Sequence, residues 1–174
     1  GDWVRVARGA PPERFERARI DVDARSVRYV DARRFGRLLA ARSDIDAWNA
    51  LGPDPLGGLD VGALEAAFAK SKRAVKEVLM DQSVLAGVGN IIATEALWAA
   101  RVDPRAPART LSRSEVRAVA RGVRREIERE LARGETRFAV YGRRGEPCPR
   151  CDTPIRSVKL GGRTSAFCPA CQSR

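Results

Sequence analysis

The 174-residue chain contains no histidine and a single methionine, and aromatic residues make up only 6% of it. The missing imidazole removes every mechanism built on a histidine base, Ser-His and Cys-His nucleophile pairs included, from what this polypeptide can do alone. No stretch approaches the roughly 18 to 20 consecutive apolar residues that a membrane-spanning helix requires. No charged-then-apolar signal segment opens the sequence either. The expected setting is therefore cytoplasmic and away from membranes. What the chain does hold is positive charge: 33 Lys and Arg against 22 Asp and Glu give +11, with a pI near 10.6. That balance favours a polyanionic partner, nucleic acid first, over an acidic protein or a neutral metabolite. Charge alone leaves the matter open, because arginine-rich chains can be cationic without binding anything. A hydrophobic content of 44% supplies a core of moderate size.

The pattern divides the chain. Val4 and Val6, then Ile20 and Val22, then Val27 and Tyr29 alternate with polar neighbours at a period of two, which predicts strands, with a hairpin turn over Asp23–Ser26. The Pro and Gly cluster from Gly52 to Gly58 predicts a linker. Beyond Asp60 the spacing becomes helical: Leu64, Ala67 and Phe68, then Val75, Val78 and Leu79, define two short helices. A third, nearly uncharged and therefore buried, is expected from Asn90 to about Ala100. Ser112 and Glu115 form a capping box ahead of Val116, Val119, Val123, Ile127 and Leu131, the apolar stripe of a long helix ending near Gly134. The other face of that helix is rich in arginine.

All four cysteines lie in the last thirty residues, at Cys148, Cys151, Cys168 and Cys171. Two residues inside each pair let a tight turn aim both sulfurs at one ion, and the sixteen-residue spacer fits a two-stranded excursion that brings the second pair back. A four-thiolate Zn2+ site is predicted. Two disulfides are the competing reading, which a reducing compartment disfavours. Four sulfurs leave no open position for water, so one structural zinc, holding a hairpin and doing no chemistry, is expected. The hairpin carries Arg156, Lys159, Arg163 and a Gly161-Gly162 turn, groups suited to phosphate unless they are ordinary solvated charges.

Further motifs carry a resemblance: Asp31-Ala32-Arg33-Arg34-Phe35-Gly36, LGPDPL (51–56), AKSKRAVKEVLMDQ (69–82), Gly87-Val88-Gly89-Asn90-Ile91 and VYGRRGEPC (140–148), in that order, ahead of the zinc ribbon. In these the chain resembles the bacterial formamidopyrimidine-DNA glycosylase and endonuclease VIII family over nearly its whole length. The resemblance implies an α+β fold: the remainder of an amino-terminal β-sandwich (1–50), a linker (51–58), a helix-two-turn-helix DNA-binding domain (59–138) and a zinc finger (139–174). It implies base-excision repair of double-stranded DNA with a damaged or abasic nucleotide, by a monomer, through removal of oxidised bases of the formamidopyrimidine and 8-oxoguanine class and cleavage of the abasic site. Arg33 and Phe35 match the pair that fills the stack when a nucleotide is extruded, a step that costs a few kcal/mol of stacking and pairing. Read without the family, Phe35 is a core aromatic at a strand end. Lys70, Lys72, Lys76, Gly89, Asn90 and Tyr141 match DNA contacts, and Arg163 matches an arginine assigned to phosphate grip and to the later elimination step. A helix start that follows glycines suits an anion in any case.

The sequence also departs from the family. Catalysis there uses an amino-terminal proline, the adjacent glutamate and a lysine on a later strand, and none has a counterpart here. The chain opens on Gly1-Asp2-Trp3-Val4, which in the family pattern lies inside the sandwich. The sequence is therefore expected to be amino-terminally truncated and inactive in base excision on its own. The family's intercalating methionine is absent, since Met80 falls in a helical segment. Gly134 to Val140 is shorter than the loop that often covers an everted 8-oxoguanine, Ala32 replaces the usual proline, and Arg17 and Arg19 stand where many relatives carry histidine. A damaged-DNA binding module without chemistry is the second expectation, and a zinc-ribbon interaction or RNA-binding protein a third.

Overall fold

A computed structural model describes residues 1–32, 34, 51–132 and 137–173, and the chain forms two compact units, Gly1–Ala47 and Trp48–Arg174. In the first, strands β1 (Asp2–Ala7), β2 (Glu16–Val22) and β3 (Arg25–Val30) make an antiparallel sheet in the order β1-β3-β2. The β2–β3 hairpin turns on Asp23 at φ 53°, a left-handed conformation that aspartate tolerates better than most residues. The period-two alternation predicts the strands, but the buried side chains among the described residues of this unit are polar. Ser26 and Arg28 are buried, whereas Trp3, Ile20 and Val22 are each at least half exposed. Arg28 donates to the carbonyls of Pro11 and Ala10, at 2.7 and 2.5 Å, while its buried Nε lies 3.4 Å from Glu16 Oε2 without a hydrogen bond. Trp3 and Tyr29 face each other across β1 and β3 with ring centroids 5.0 Å apart.

Among its described residues the second unit holds four α-helices, α1 (Val61–Ala69), α2 (Val75–Leu79), α3 (Asn90–Ala99) and α4 (Arg113–Leu131), followed by the hairpin β4 (Arg156–Leu160) and β5 (Arg163–Phe167). Local chemistry explains the starts. The Asp60 carboxylate accepts from the Gly62 and Ala63 N–H groups, and the predicted Ser112–Glu115 capping box opens α4. Only α3 begins without a side-chain cap among α1, α3 and α4; its N-cap is Gly89. The 51–58 segment is fastened to this unit: Gly52 donates to the Gln82 carbonyl at 2.7 Å, and Ala86 donates to the Pro53 carbonyl at 3.1 Å. One apolar core, including Phe68, Leu79, Leu97, Val119 and Val123, lies between the helices.

The metal-hairpin region is docked on the helices by polar contacts from a distance in sequence. Its buried anchor is Gln172, whose Nε2 donates to the Val102 carbonyl and whose Oε1 accepts from the Cys168 N–H, both at 2.8 Å. The Arg150 guanidinium lies 4.1 Å from the Trp98 ring centroid. The buried Glu95 carboxylate accepts from the N–H groups of Ala139, Val140 and Tyr141 at 2.8 to 3.0 Å.

Helices α3 and α4 meet where Gly122 faces Ala96, and a Cβ at Gly122 would lie 2.7 Å from the Ala96 carbonyl oxygen and 3.1 Å from its Cα. Backbone cannot yield there without separating the helices. Gly122→Ala is therefore expected to destabilise by about 1–3 kcal/mol, although alanine is the better helix former by about 1 kcal/mol. Denaturant unfolding reads this, and an unchanged midpoint would show that the two helices can move apart freely.

Candidate metal centre and nucleic-acid interface

The four cysteine sulfurs lie within 4.8 Å of one another. Individual separations are 3.3 Å for Cys151–Cys171, 3.5 Å for Cys151–Cys168 and 4.0 Å for Cys148–Cys171. A tetrahedral ion with Zn–S bonds of about 2.3 Å needs sulfurs about 3.8 Å apart, so the donor set fits one structural zinc. Protonation behaviour agrees. The Thr153 hydroxyl and backbone hold the Cys151 thiol down to about 6, while burial and the neighbouring thiols push Cys171 up to about 12. Thiolates cannot accumulate in so small a volume without a cation to balance them.

The hairpin turns on Gly161 and Gly162, with φ of 53° and 73°, and a Cβ at Gly161 would approach Glu77 Oε1 of α2 at 3.2 Å. The hairpin tip thus rests beside α2, and the Asn90 amide at the start of α3 donates to the Thr164 carbonyl of the hairpin. Between them runs a groove of about 610 Å3, lined among others by Arg73, Gly89, Asn90, Gly161 and Arg163. Gly87 takes the left-handed φ of 76°. Gly89 does not: its backbone is extended, at φ −99° and ψ −174°. A Cβ would also fit at Gly89, since nothing lies within 4 Å of where it would be. Gln82 secures this loop, accepting from the Gly87 N–H at 2.9 Å and donating to the Val88 carbonyl at 3.1 Å.

Beneath the groove lies Lys76, fully buried. Its ammonium donates to Asn90 Oδ1 at 2.5 Å, Ser165 Oγ at 2.6 Å and the Thr164 carbonyl at 3.4 Å. Asn90 Nδ2 donates to the same carbonyl at 3.2 Å. One cation thereby ties the α3 start to β5. Burial lowers the Lys76 pKa to about 8. All three oxygens that Lys76 meets belong to the protein, so a phosphate would reach its ammonium only by displacing one of them.

The sequence-derived residues divide accordingly. Gly89, Asn90 and Arg163 line one groove, with Lys76 under it. Lys70 and Lys72 are exposed and lie outside its lining. Tyr141 also lies outside it, half-buried against Phe138 at 5.3 Å between ring centroids. Arg33 and Phe35 lie outside the described residues. Arg73, within the basic run read from the sequence but not singled out there, does line the groove, where it pairs with Asp81 at 2.7 Å. The Ser83 hydroxyl, then Arg73, holds the Asp81 carboxyl below its usual range.

A four-cysteine hairpin is thus set against a helix start that no side chain caps. Residues 51–141 match the model of the formamidopyrimidine-DNA glycosylase H2TH domain, and residues 145–174 match that of the zinc finger found in FPG and IleRS. The chain is 40% identical to the formamidopyrimidine-DNA glycosylase of Ectopseudomonas mendocina, covering 88% of this chain and 65% of that protein. It is 38% identical to that of Laribacter hongkongensis, covering 93% and 68%. The chain thus spans about two thirds of the length of these relatives. Its structure is similar to Lactococcus lactis formamidopyrimidine-DNA glycosylase non-covalently bound to DNA containing an abasic site (TM-score 0.88, 26% identity, 99% of this chain and 71% of that one). It is also similar to the formamidopyrimidine-DNA glycosylase of Thermus thermophilus (TM-score 0.82, 34% identity, 94% and 71%). The chain belongs to the formamidopyrimidine-DNA glycosylase family. Among the described residues, no helix is long and apolar enough to cross a membrane.

The lowered Lys76 pKa has a thermodynamic sign. The unfolded chain binds this proton more tightly than the folded one, so unfolding takes up a proton between about pH 8 and 10.5. The Lys76 contribution therefore makes stability rise with pH across that window, by at most about 3 kcal/mol. Denaturant titrations at several pH values are expected to show this rise relative to Lys76→Met; parallel profiles for the two proteins would refute it.

Proposed function

We propose that this chain grips the backbone of double-stranded DNA at a damaged or abasic nucleotide, as one copy, and serves base-excision repair of oxidised bases. The observation that carries the reading is the shared groove: the α3 start and the zinc hairpin line it together and are joined by Lys76. In this reading 59–138 is the DNA-binding domain and 139–174 the zinc finger. Uncapped N–H groups at Gly89 and Asn90 attract an anion, the second Asn90 Nδ2 hydrogen remains to donate, and Arg163 supplies the guanidinium. Lys70 and Lys72 contribute to the positive field, and Tyr141 a further contact. Arg33 and Phe35 act at the extruded nucleotide, and Arg163 assists elimination at the abasic site.

A second reading, recognition without excision, is favoured by the chemistry of the groove. Arg73 and Arg163 carry guanidinium groups, which make poor nucleophiles. The Lys76 amine is held by three acceptors. These residues supply grip rather than bond breaking, so release of oxidised bases by the 174-residue chain would speak against the second reading.

Binding of abasic-site duplex, followed by fluorescence anisotropy over a salt series, tests the proposal. Arg163→Gln is expected to weaken binding and reduce the slope of log K against log salt by about 0.9, the value of one lost phosphate contact. Asn90→Ala is expected to weaken binding with the slope retained, because no charge is removed. Cys148→Ser is expected to lose zinc and affinity together, since the hairpin holding Arg163 depends on the metal. Undiminished affinity in all three variants would overturn the proposal.

A further inference from the structure

Six arginines lie on α4, and their partners divide them. Arg113 pairs with Glu65 at 3.0 Å, Arg124 with Glu128 at 2.8 Å and Arg129 with Glu126 at 3.1 Å. Arg117, Arg121 and Arg125 are exposed and form no ion pair with the described residues. The acid nearest Arg125 in sequence, Glu126, is the one engaged by Arg129. The three recur every fourth residue, so they share one side of the helix and span about 12 Å along its axis. Arg121 and Arg125 border a groove of about 310 Å3, whose other lining residues are Ala99, Ala100, Ala118 and Gly122.

This groove lies at the carboxyl end of α3, opposite the Asn90 end. About 15 Å of helix separates the two. Its small residues offer none of the aromatic anchors that often concentrate binding energy at protein interfaces. Guanidinium groups over a shallow floor suit a polymer of regularly spaced anions, and a DNA strand carries one charge per roughly 3.4 Å of axis.

We infer that Arg117, Arg121 and Arg125 form a second contact surface for the backbone of duplex DNA, separate from the Asn90–Arg163 groove. This rests on the DNA-binding reading above. It engages a further stretch of duplex without reading sequence, adding salt-sensitive affinity at undamaged sites.

The test uses the whole chain with a triple Arg117→Gln, Arg121→Gln, Arg125→Gln variant, and binding to a long undamaged duplex across a salt series. The control is a triple Arg113→Gln, Arg124→Gln, Arg129→Gln variant, which removes equal charge from the same helix at ion-paired positions. Zinc content and helicity verify folding in both. The first triple is expected to lower the salt slope by roughly 2 to 3, at about 0.9 per phosphate contact, and the control to change it little. An unchanged slope, or an equal fall in the control, overturns the inference. So does loss of binding to polyglutamate with duplex binding intact, which would assign the row to an acidic protein. Asn90→Ala and Arg163→Gln are measured in parallel: if they weaken binding and the row variant does not, this inference alone fails. If none weakens binding, the DNA reading fails with it.

Discussion

The buried ammonium of Lys76 holds together the two halves of the candidate site. Its burial removes it from water, and three oxygens replace that hydration: one from the α3 start and two from β5. No carboxylate is among them, so the positive charge is solvated by dipoles and remains uncancelled. An ammonium can only donate. It therefore fixes the direction of the Asn90 amide, with Oδ1 toward Lys76 and Nδ2 toward the Thr164 carbonyl. One Nδ2 hydrogen is left over, and its direction is set before any ligand arrives.

That bond requires β5 to stay in register with the helix, which is the task of the metal. The hairpin is short, five residues a strand, and small modules of this kind gain much of their folding energy from zinc. Four thiols at one end fix both chain crossings, while Gln172 and Arg150 dock that end on the helical core. Glu95 performs a related task upstream, where one carboxylate collects three consecutive N–H groups of the segment entering the module. Metal, glutamine and glutamate thus all act on where Ser165 and Arg163 stand relative to Asn90.

The parts written in local pattern are legible from the sequence. Cysteine spacing, the Ser112–Glu115 box and the helical register of Val116 to Ile127 depend on neighbours a few residues away, and the structure has them where the pattern puts them. Lys76 is not legible, because Lys70, Lys72 and Lys76 look alike in a basic run. What separates them is burial against Ser165, 89 residues downstream. Gln172 meets Val102 across 70 residues and Glu95 meets Val140 across 45, and neither carries a local signature. Gly89 looks like a turn glycine in sequence, yet its backbone is ordinary and a Cβ there would meet nothing within 4 Å.

The groove's positive potential therefore has components of different character. Lys76 acts from beneath, with its donors on protein oxygens, and the α3 N–H groups are ordered in advance, so an anion that meets those N–H groups need not immobilise a flexible side chain, a cost of about 0.5–1.5 kcal/mol for each one ordered. Arg73 is partly committed, since an arriving phosphate must compete with Asp81. Arg163 stands exposed at the first position of β5, beside the glycine turn. Removal of the fixed charge disturbs the direction in which Asn90 presents its amide; removal of Arg163 subtracts a charge and leaves that direction intact. The same distinction separates the groove from the α4 arginine row, where no buried group orders the guanidinium ends. In the proposed reading the row adds charge without a set direction, whereas the groove presents an amide whose direction is fixed beforehand.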